Sequence, residues 1–276
     1  MTFLWFNMAL VFELLATFGF LGYLIKQKKW IFRASHWLLF AGFICHTILL
    51  VNQYYLLGAI PVLDFKSSLS FFSWSIICVY LILQLKFRLM VLGSFIAPLA
   101  ASLMIISSAM PWMEGAVRPE FKSIWLTIHI SLAFIGDGLF AIAFLAAIMY
   151  LILERSIKHK TFGSFYSRLP SLASIDSINY YSLIYGFSFL TLGMITGSVY
   201  AQITFGTYWQ WDPKEVWSLI TWLFYAALLH ERLAVGWRGR KAAWMSIICF
   251  CLLIFTFIGA GFLLGGYHSF ENLGAK

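Results

Sequence analysis

Long apolar stretches alternate with short polar ones along the whole chain. Each apolar stretch contains about 20 residues, the length that a helix needs to cross the hydrocarbon core of a bilayer. We predict eight spans, at residues 2–25, 36–57, 69–86, 89–110, 123–153, 178–200, 215–235 and 242–264. No sizeable soluble domain fits between them. The pattern therefore indicates an all-α, polytopic membrane protein that forms one integral-membrane domain over residues 1–276.

The basic residues fall mostly on alternate loops. Only 11% of the residues are charged, against about 25% in soluble domains, so the net charge of +8 is a topology signal and no nucleic-acid partner is predicted. Of the 19 lysines and arginines, 14 follow spans one, three, five and seven. The positive-inside rule places these loops in the cytoplasm and both termini outside it. We expect a multi-pass protein of a bacterial plasma membrane, or of a thylakoid membrane if the chain is plastid-encoded, in contact with membrane lipid.

The polar segment between spans six and seven is rich in aromatic residues. Its sequence is Gly206-Thr-Tyr-Trp-Gln-Trp-Asp-Pro-Lys-Glu-Val-Trp, and the charge pattern places it outside the cytoplasm. An interfacial aromatic belt is the simpler interpretation, but a belt does not predict this density of tryptophan beside a charged sequence. A flat apolar ligand with charged edges would need such a segment, with Trp209, Trp211 and Trp217 against its faces.

Asp212-Pro-Lys-Glu is typical of a helix start. Asp212 suits the N-cap, Pro213 suits the first helical position, and Glu215 completes a capping box. A ligand-binding role is compatible with this structural one, because a helix N-terminus carries a partial positive charge and N–H groups that bind anions. Since Lys214 adds a full charge, we expect this helix end to hold the carboxylates of a ligand.

Three of the six histidines are candidate ligands of a metal. His129 lies about two turns into span five and His268 lies just beyond span eight, both on the side of the tryptophan-rich segment. Two neutral imidazoles suit the axial positions of haem iron, and haem is flat, apolar and edged by two carboxylates. His230 lies about 22 Å from the outer surface, where it is either a ligand at an inner site or a side chain that reaches toward the inner membrane surface. His36 and His159 are expected to be solvated.

Three further ionisable side chains lie near the middle of apolar spans. They are Glu13 in span one, His46 in span two and Asp137 in span five. Ionisable groups at membrane depth are usually functional, so His46 is a weaker candidate ligand, and each acid is protonated, paired or close to a polar path. These residues also support an alternative interpretation, in which the chain is a solute transporter that uses all three.

The tryptophan-rich segment resembles a known signature. Trp209-Gln-Trp-Asp-Pro-Lys-Glu-Val-Trp-Ser-Leu-Ile-Thr-Trp, followed by His230, resembles the WWD signature of the haem-handling proteins. The Asp-Pro-Lys-Glu run favours the CcsA/ResC type, a subunit of System II cytochrome c synthase. The resemblance covers residues 123–270 as a haem-handling core, with the WWD loop at 200–217, whereas residues 1–110 match only as four N-terminal apolar spans.

The resemblance implies one haem site at the outer surface and another within the membrane. His129 and His268 correspond to the external histidines that bind haem iron, and His230 corresponds to the membrane histidine that receives haem from the cytoplasmic side. The haem ring would contact Tyr208, Trp209, Trp211, Asp212, Lys214 and Trp217. The residues that depart from the family pattern are all aromatic: Tyr200, Phe205 and Phe270.

The function that the resemblance implies is cytochrome c biogenesis. Haem b, as the transported substrate, would be presented to an apocytochrome c, whose Cys-x-x-Cys-His cysteines form thioether bonds with the haem vinyl groups. In this family a CcsB/ResB-type partner subunit supplies the second membrane histidine, and this chain would be the haem-presenting subunit of a holocytochrome c synthase complex. The sequence assigns no catalytic residue to the chain. The alternative is a haem exporter or carrier that hands haem to a chaperone without forming a covalent bond.

Overall fold

The described part of the protein is a bundle of helices. The computed structural model describes residues 2–87, 90–111, 117–160 and 168–259, and no β-strand occurs among them. Within these residues a 3₁₀ helix spans Pro119–Lys122, and two π-helical turns span Glu231–Val235 and Phe255–Gly259. The α-helices of the described residues are α1 Thr2–Lys26, α2 Lys29–Leu57, α3 Phe65–Phe87, α4 Gly93–Ala109, α5 Ile124–Lys158, α6 Leu172–Phe205, α7 Pro213–His230 and α8 Arg240–Ile254.

These helices confirm the predicted fold class, an all-α polytopic membrane protein. Six helices of the described chain are long and apolar enough to cross a membrane, and α4 is a shorter apolar helix of 17 residues. One difference from the prediction is that α2 begins at Lys29 rather than near residue 36. Only Gln27 and Lys28 separate α1 from α2, and the left-handed backbone of Gln27 (φ 52°) helps to reverse the chain in this short space. Basic residues that were assigned to a loop therefore lie on the first turns of a helix.

Helix α5 connects the N-terminal helices to the C-terminal ones. It packs chiefly against α6 and also contacts α3 and α8, while α1 packs against α2 and α4. Small residues permit this close packing, as is common for helices in membranes. A Cβ atom on Gly136 would come within 3.1 Å of the carbonyl oxygen of Gly186 in α6, and one on Gly138 would lie equally close to the carbonyl oxygen of Ser75 in α3.

Polar contacts between basic segments occur at one end of the bundle. The guanidinium of Arg168 donates to the carbonyl oxygen of Leu24 at 3.1 Å, and Glu154 near the end of α5 lies 3.9 Å from Arg240 at the start of α8. Segments that the charge pattern assigned to one side of the membrane therefore meet in space. Which side of the membrane this end faces stays a prediction.

Candidate functional site

A cleft opens at the other end of the bundle, beside the tryptophan-rich segment. It encloses about 220 Å³ between α5, α6, the start of α7 and the turn from α2 to α3. Sites that enclose a whole drug-sized ligand usually have roughly 300–1,000 Å³, so a larger flat molecule would lie partly outside this cleft. Much of its wall is apolar, with Phe121, Leu126, Ile130, Phe134, Met194 and Phe257 among the lining residues.

His129 lies in the wall of this cleft and is held there by two glycines of α6. Its Nδ1 lies 2.7 Å from the carbonyl oxygen of Gly193. A carbonyl only accepts, so Nδ1–H donates; in a neutral imidazole the lone pair then lies on Nε2. The ring packs directly on Gly197, where a Cβ atom would come within 2.7 Å of the imidazole. Metal-binding histidines commonly donate their other N–H group in this way, which fixes the tautomer and the orientation of the ring.

Tyr208 and Trp209 bring the tryptophan-rich segment to the cleft. Helix α6 ends at Phe205, and Gly206, with a left-handed φ of 78°, lets the chain turn there at no steric cost. Phe205, Tyr208 and Trp209 then line the cleft. The ring of Trp211 meets that of Trp209 edge to face, but Trp211 itself is 78% exposed and is absent from the lining. Its φ of 58° is rare for a bulky residue, and such strained backbone tends to cluster at functional sites.

The start of α7 forms the capping box that the sequence predicted. Asp212 accepts the backbone N–H of Lys214 at 2.9 Å, and Glu215 accepts those of Asp212 at 3.2 Å and Gln210 at 2.9 Å. The backbone N–H of Lys214 at the start of α7 is thus already bound within the protein, so a ligand at this helix end would depend mainly on the charge of Lys214. Asp212 is 5% exposed and serves as the cap, whereas Lys214 lines the cleft and brings a positive charge to it.

Trp217 contributes to helix packing. Its ring packs edge-on against Phe255 in the π-helical turn after α8, with 4.6 Å between centroids. Its carbonyl oxygen accepts the hydroxyl of Thr221 at 2.8 Å and that of Thr256 at 3.3 Å. Of the three tryptophans that were expected to flank a ligand, only Trp209 is among the residues that line the cleft.

His230 lies at the opposite end of α7 from the cleft. Sixteen residues separate it from Lys214, which corresponds to roughly 24 Å along the helix. Its side chain is exposed on the surface of the bundle. The structure therefore keeps His230 apart from His129, as expected for two separate sites. His268, the predicted partner of His129, lies outside the described residues.

His46 and Glu13 form a completely buried pair within the N-terminal helices. The Nδ1 atom of His46 lies 3.0 Å from Glu13 Oε1, its Nε2 lies 2.9 Å from Ser70 Oγ, and both residues are 0% exposed. Both ring nitrogens are thus engaged within the protein, which excludes His46 as an iron ligand in this conformation. Asp137 lies on α5 and is not part of this pair. Of the three residues that suggested a solute path, Glu13 and His46 therefore contact each other and Asp137 lies elsewhere.

The turn between α2 and α3 is the part of the cleft that the sequence analysis missed. Val62 and Leu63 line the cleft and are 8% and 5% exposed. The turn is held by the hydroxyl of Ser68, which donates to the carbonyl oxygen of Val62 at 3.1 Å, and by Asp64, which accepts the N–H of Ser67 at 2.6 Å. The N-terminal helices, which matched only as apolar spans, thus provide one wall of the site.

Comparison with known families identifies the chain. The family model described as cytochrome C assembly protein matches residues 62–268. The chain belongs to the cytochrome c assembly protein family. The match begins in the turn that lines the cleft and takes in His129, the tryptophan-rich segment and His230.

Curated relatives of this chain are named cytochrome c biogenesis protein CcsA. The protein from Guillardia theta is 31% identical over 269 residues, which cover 91% of this chain and 89% of the relative. The protein from Chlamydomonas reinhardtii is 34% identical over 230 residues, covering 81% and 64%. That from Prochlorococcus marinus strain MIT 9301 is 29% identical over 249 residues, covering 81% and 80%. These relatives support a CcsA-type member of the family with a role in cytochrome c biogenesis.

A solved structure, Cytochrome c Heme Lyase CcmF, has a similar fold. The TM-score is 0.66 at 16% sequence identity, and the match covers 99% of this chain and 48% of that one. At this identity the likeness concerns the fold alone, and the chain spans about half the length of that protein. Membership of the family implies that the protein has a role in the assembly of cytochrome c.

Proposed function

We propose that this protein carries haem b, as its transported substrate, to the extracytoplasmic end of the bundle and presents it there to an apocytochrome c. The observation that carries the proposal is the setting of His129. This imidazole lies in the wall of an aromatic cleft, with Nδ1–H held by Gly193 and the lone pair on Nε2. His268 would supply the opposite axial ligand, as the family resemblance implies.

The cleft offers the other groups that haem would need. The rings of Phe205, Tyr208 and Trp209 provide apolar and aromatic surface for the porphyrin. The ammonium group of Lys214 provides a positive charge for a haem propionate. The backbone N–H of Lys214 does not contribute, because Asp212 already accepts it. Electrostatic attraction at the cleft edge and aromatic contact with the ring would together favour one orientation of the haem.

The limited volume of the cleft suits presentation rather than storage. A site of about 220 Å³ would hold only part of a porphyrin, so an edge of the ring would stay accessible to another protein. Attachment requires each cysteine S–H of the apocytochrome to add across a vinyl C=C bond, which forms a C–S and a C–H bond with no net gain or loss of electrons. In this reaction the residues of the cleft hold and orient the ring, and the apocytochrome supplies the thiols.

The inner site would be shared with a second membrane subunit. His230 is exposed on the bundle surface, so its imidazole is accessible to a neighbouring protein within the membrane. A CcsB/ResB-type partner would supply the second histidine, and haem would then pass from this site to the outer cleft. The inner end of the bundle would face the cytoplasm, or the stroma in a plastid.

A co-expression experiment tests this proposal. The chain is produced with its CcsB/ResB-type partner and a c-type apocytochrome, and covalently bound haem is measured on the apocytochrome after denaturation. We expect covalent haem with the wild type, little with His129→Ala, and wild-type amounts with His159→Ala, which replaces an exposed histidine at the other end of α5. Haem that is bound by the chain but never becomes covalent would indicate the carrier function instead. Equal yields from His129→Ala and the wild type would contradict the proposed site.

A further inference from the structure

The helical turn after His230 differs from the rest of α7. Residues Glu231–Val235 form a π-helical turn, a feature that is frequent at functional sites. The turn ends at Gly236, whose φ is 82°, and the N–H of Trp237 donates to the carbonyl oxygen of Glu231 at 2.9 Å. Backbone hydrogen bonds within this segment therefore end the helix at the inner end of α7.

Arg232 ties this turn to the neighbouring helices. Its side chain is 3% exposed, and it donates to Asp176 Oδ2 at 2.9 Å and to Asn179 Oδ1 at 2.7 Å, both on α6. The guanidinium also lies over the ring of Tyr180, 5.1 Å from its centroid. Charge-assisted bonds of a buried guanidinium are among the stronger and more directional contacts in proteins.

The same network extends to α5 and α8. The second carboxylate oxygen of Asp176 accepts the backbone N–H of Gly239, just before α8, at 3.0 Å. The amide nitrogen of Asn179 donates to the carbonyl oxygen of Ala143 at 2.8 Å and to the hydroxyl of Ser246 at 3.0 Å. Four helices therefore meet in one set of hydrogen bonds, and the segment that carries Arg232 has little freedom to rotate.

Fixing Arg232 also fixes His230. Two residues on a helix are separated by about 200° of rotation, so they lie on nearly opposite sides. With Arg232 held in the interior against α6, the side chain of His230 is directed outward, and the structure has it exposed while Leu228 and Leu229 are buried. A rotation of α7 that released Arg232 would turn the imidazole away from this surface.

We propose that Arg232, Asp176 and Asn179 are positioning residues that hold His230 in its outward orientation, ready to coordinate haem iron beside a partner subunit. This inference rests on the inner site of the proposed function. Groups that contact a metal ligand directly change metal affinity by about tenfold or more when they are removed, and this network acts on His230 through the helix backbone. Loss of this network should therefore weaken the inner site without changing the outer cleft.

The test isolates the inner site. All variants carry His129→Ala, which removes the outer-site ligand. Asp176→Asn, His230→Ala or Glu154→Gln is then added. Each protein is purified with its partner subunit, and haem per chain and the Soret maximum are measured. Arg232 and Gly239 donate to different carboxylate oxygens of Asp176, and an asparagine would place an NH₂ donor in front of one of them. Glu154→Gln is the matched control, because it removes another carboxylate that contacts the start of α8 at the same end of the bundle.

We expect Asp176→Asn to reduce haem affinity by roughly tenfold and to shift the Soret maximum, with Glu154→Gln unchanged. Added imidazole should restore the maximum in Asp176→Asn, as in His230→Ala, which a general loss of stability would not allow. If Asp176→Asn fails to fold, Arg232→Lys, which keeps the charge but loses the planar fork, replaces it. If His230→Ala loses haem and Asp176→Asn does not, the positioning role is overturned but the inner site is still supported. If His230→Ala changes neither the haem content nor the Soret maximum, both the positioning role and the inner haem site are overturned.

Discussion

Replacing Gly197 by alanine should displace His129 from its position in the cleft. The added Cβ atom would lie 2.7 Å from the imidazole, whereas non-bonded atoms pack best at about 3.5 Å or more, so the ring must move by about 0.8 Å. The Nδ1–H bond to Gly193, now 2.7 Å long, would then stretch to the limit of a hydrogen bond. Overpacking costs about 1–3 kcal/mol, and the lost hydrogen bond costs about 0.5–1.5 kcal/mol.

The expected result is a lower affinity for haem together with a modest loss of stability. Removing the orienting partner of a metal ligand weakens binding by about tenfold or more, so Gly197→Ala should lose much of the outer-site haem. The assay is haem per chain and the Soret maximum of protein purified with its partner subunit. Gly22→Ala is the control, because its Cβ atom would lie 3.9 Å from its nearest neighbour, a side-chain atom of Ile31.

Three outcomes would refute this reasoning in different ways. If His129→Ala loses haem and Gly197→Ala does not, His129 is a ligand but the glycine contact does not set its position. If neither variant loses haem, His129 is not the ligand. A loss in Gly22→Ala equal to that in Gly197→Ala would show that any added methyl group in a membrane helix has the same effect.

Other substitutions separate ligand contacts from structural ones. Trp209→Leu should lower the amount of haem at the outer site several-fold, measured by absorbance, because the Trp209 ring lines the cleft. Trp211→Leu should not lower it, and equal losses in the two variants would contradict the described cleft. Glu13→Leu should reduce the free energy of unfolding in detergent by about 3–5 kcal/mol, because it breaks a buried pair, and adding His46→Leu should restore most of that stability. If the double variant is as unstable as Glu13→Leu, loss of the pair is not the cause. Asp212→Ala should cost about 1 kcal/mol in the same unfolding measurement and leave the Soret band unchanged, whereas a lost band would make Asp212 a ligand contact.

Local sequence was sufficient to predict the helices and the start of α7. The length of the apolar stretches depends on bilayer thickness, and the capping box at Asp212 depends on residues within one helical turn, so both follow from nearby sequence. The early start of α2 at Lys29 was missed because hydropathy assigns basic residues to loops. Lysine and arginine are nevertheless good helix formers, and their long side chains reach the membrane surface from a helix.

Contacts between distant parts of the chain were not predictable in this way. Only the structure shows that Gly193 and Gly197 of α6 hold His129. Likewise, Val62 lies far in sequence from the tryptophan-rich segment, and nothing in its own neighbourhood indicates that it lines the same cleft. Trp211, which has a left-handed backbone, lies outside the cleft that Trp209 lines, and nothing in the sequence distinguishes the two residues in this way.

The most direct test of the outer haem site is an absorption spectrum. The chain is purified with its partner subunit, and spectra with and without reductant are compared between the wild type and the His129→Ala/His268→Ala double variant. We predict a bis-histidine haem spectrum in the wild type and the loss of the outer-site share of the Soret band in the double variant. An unchanged haem content and Soret band in the double variant would contradict the proposal that these two histidines hold haem for attachment.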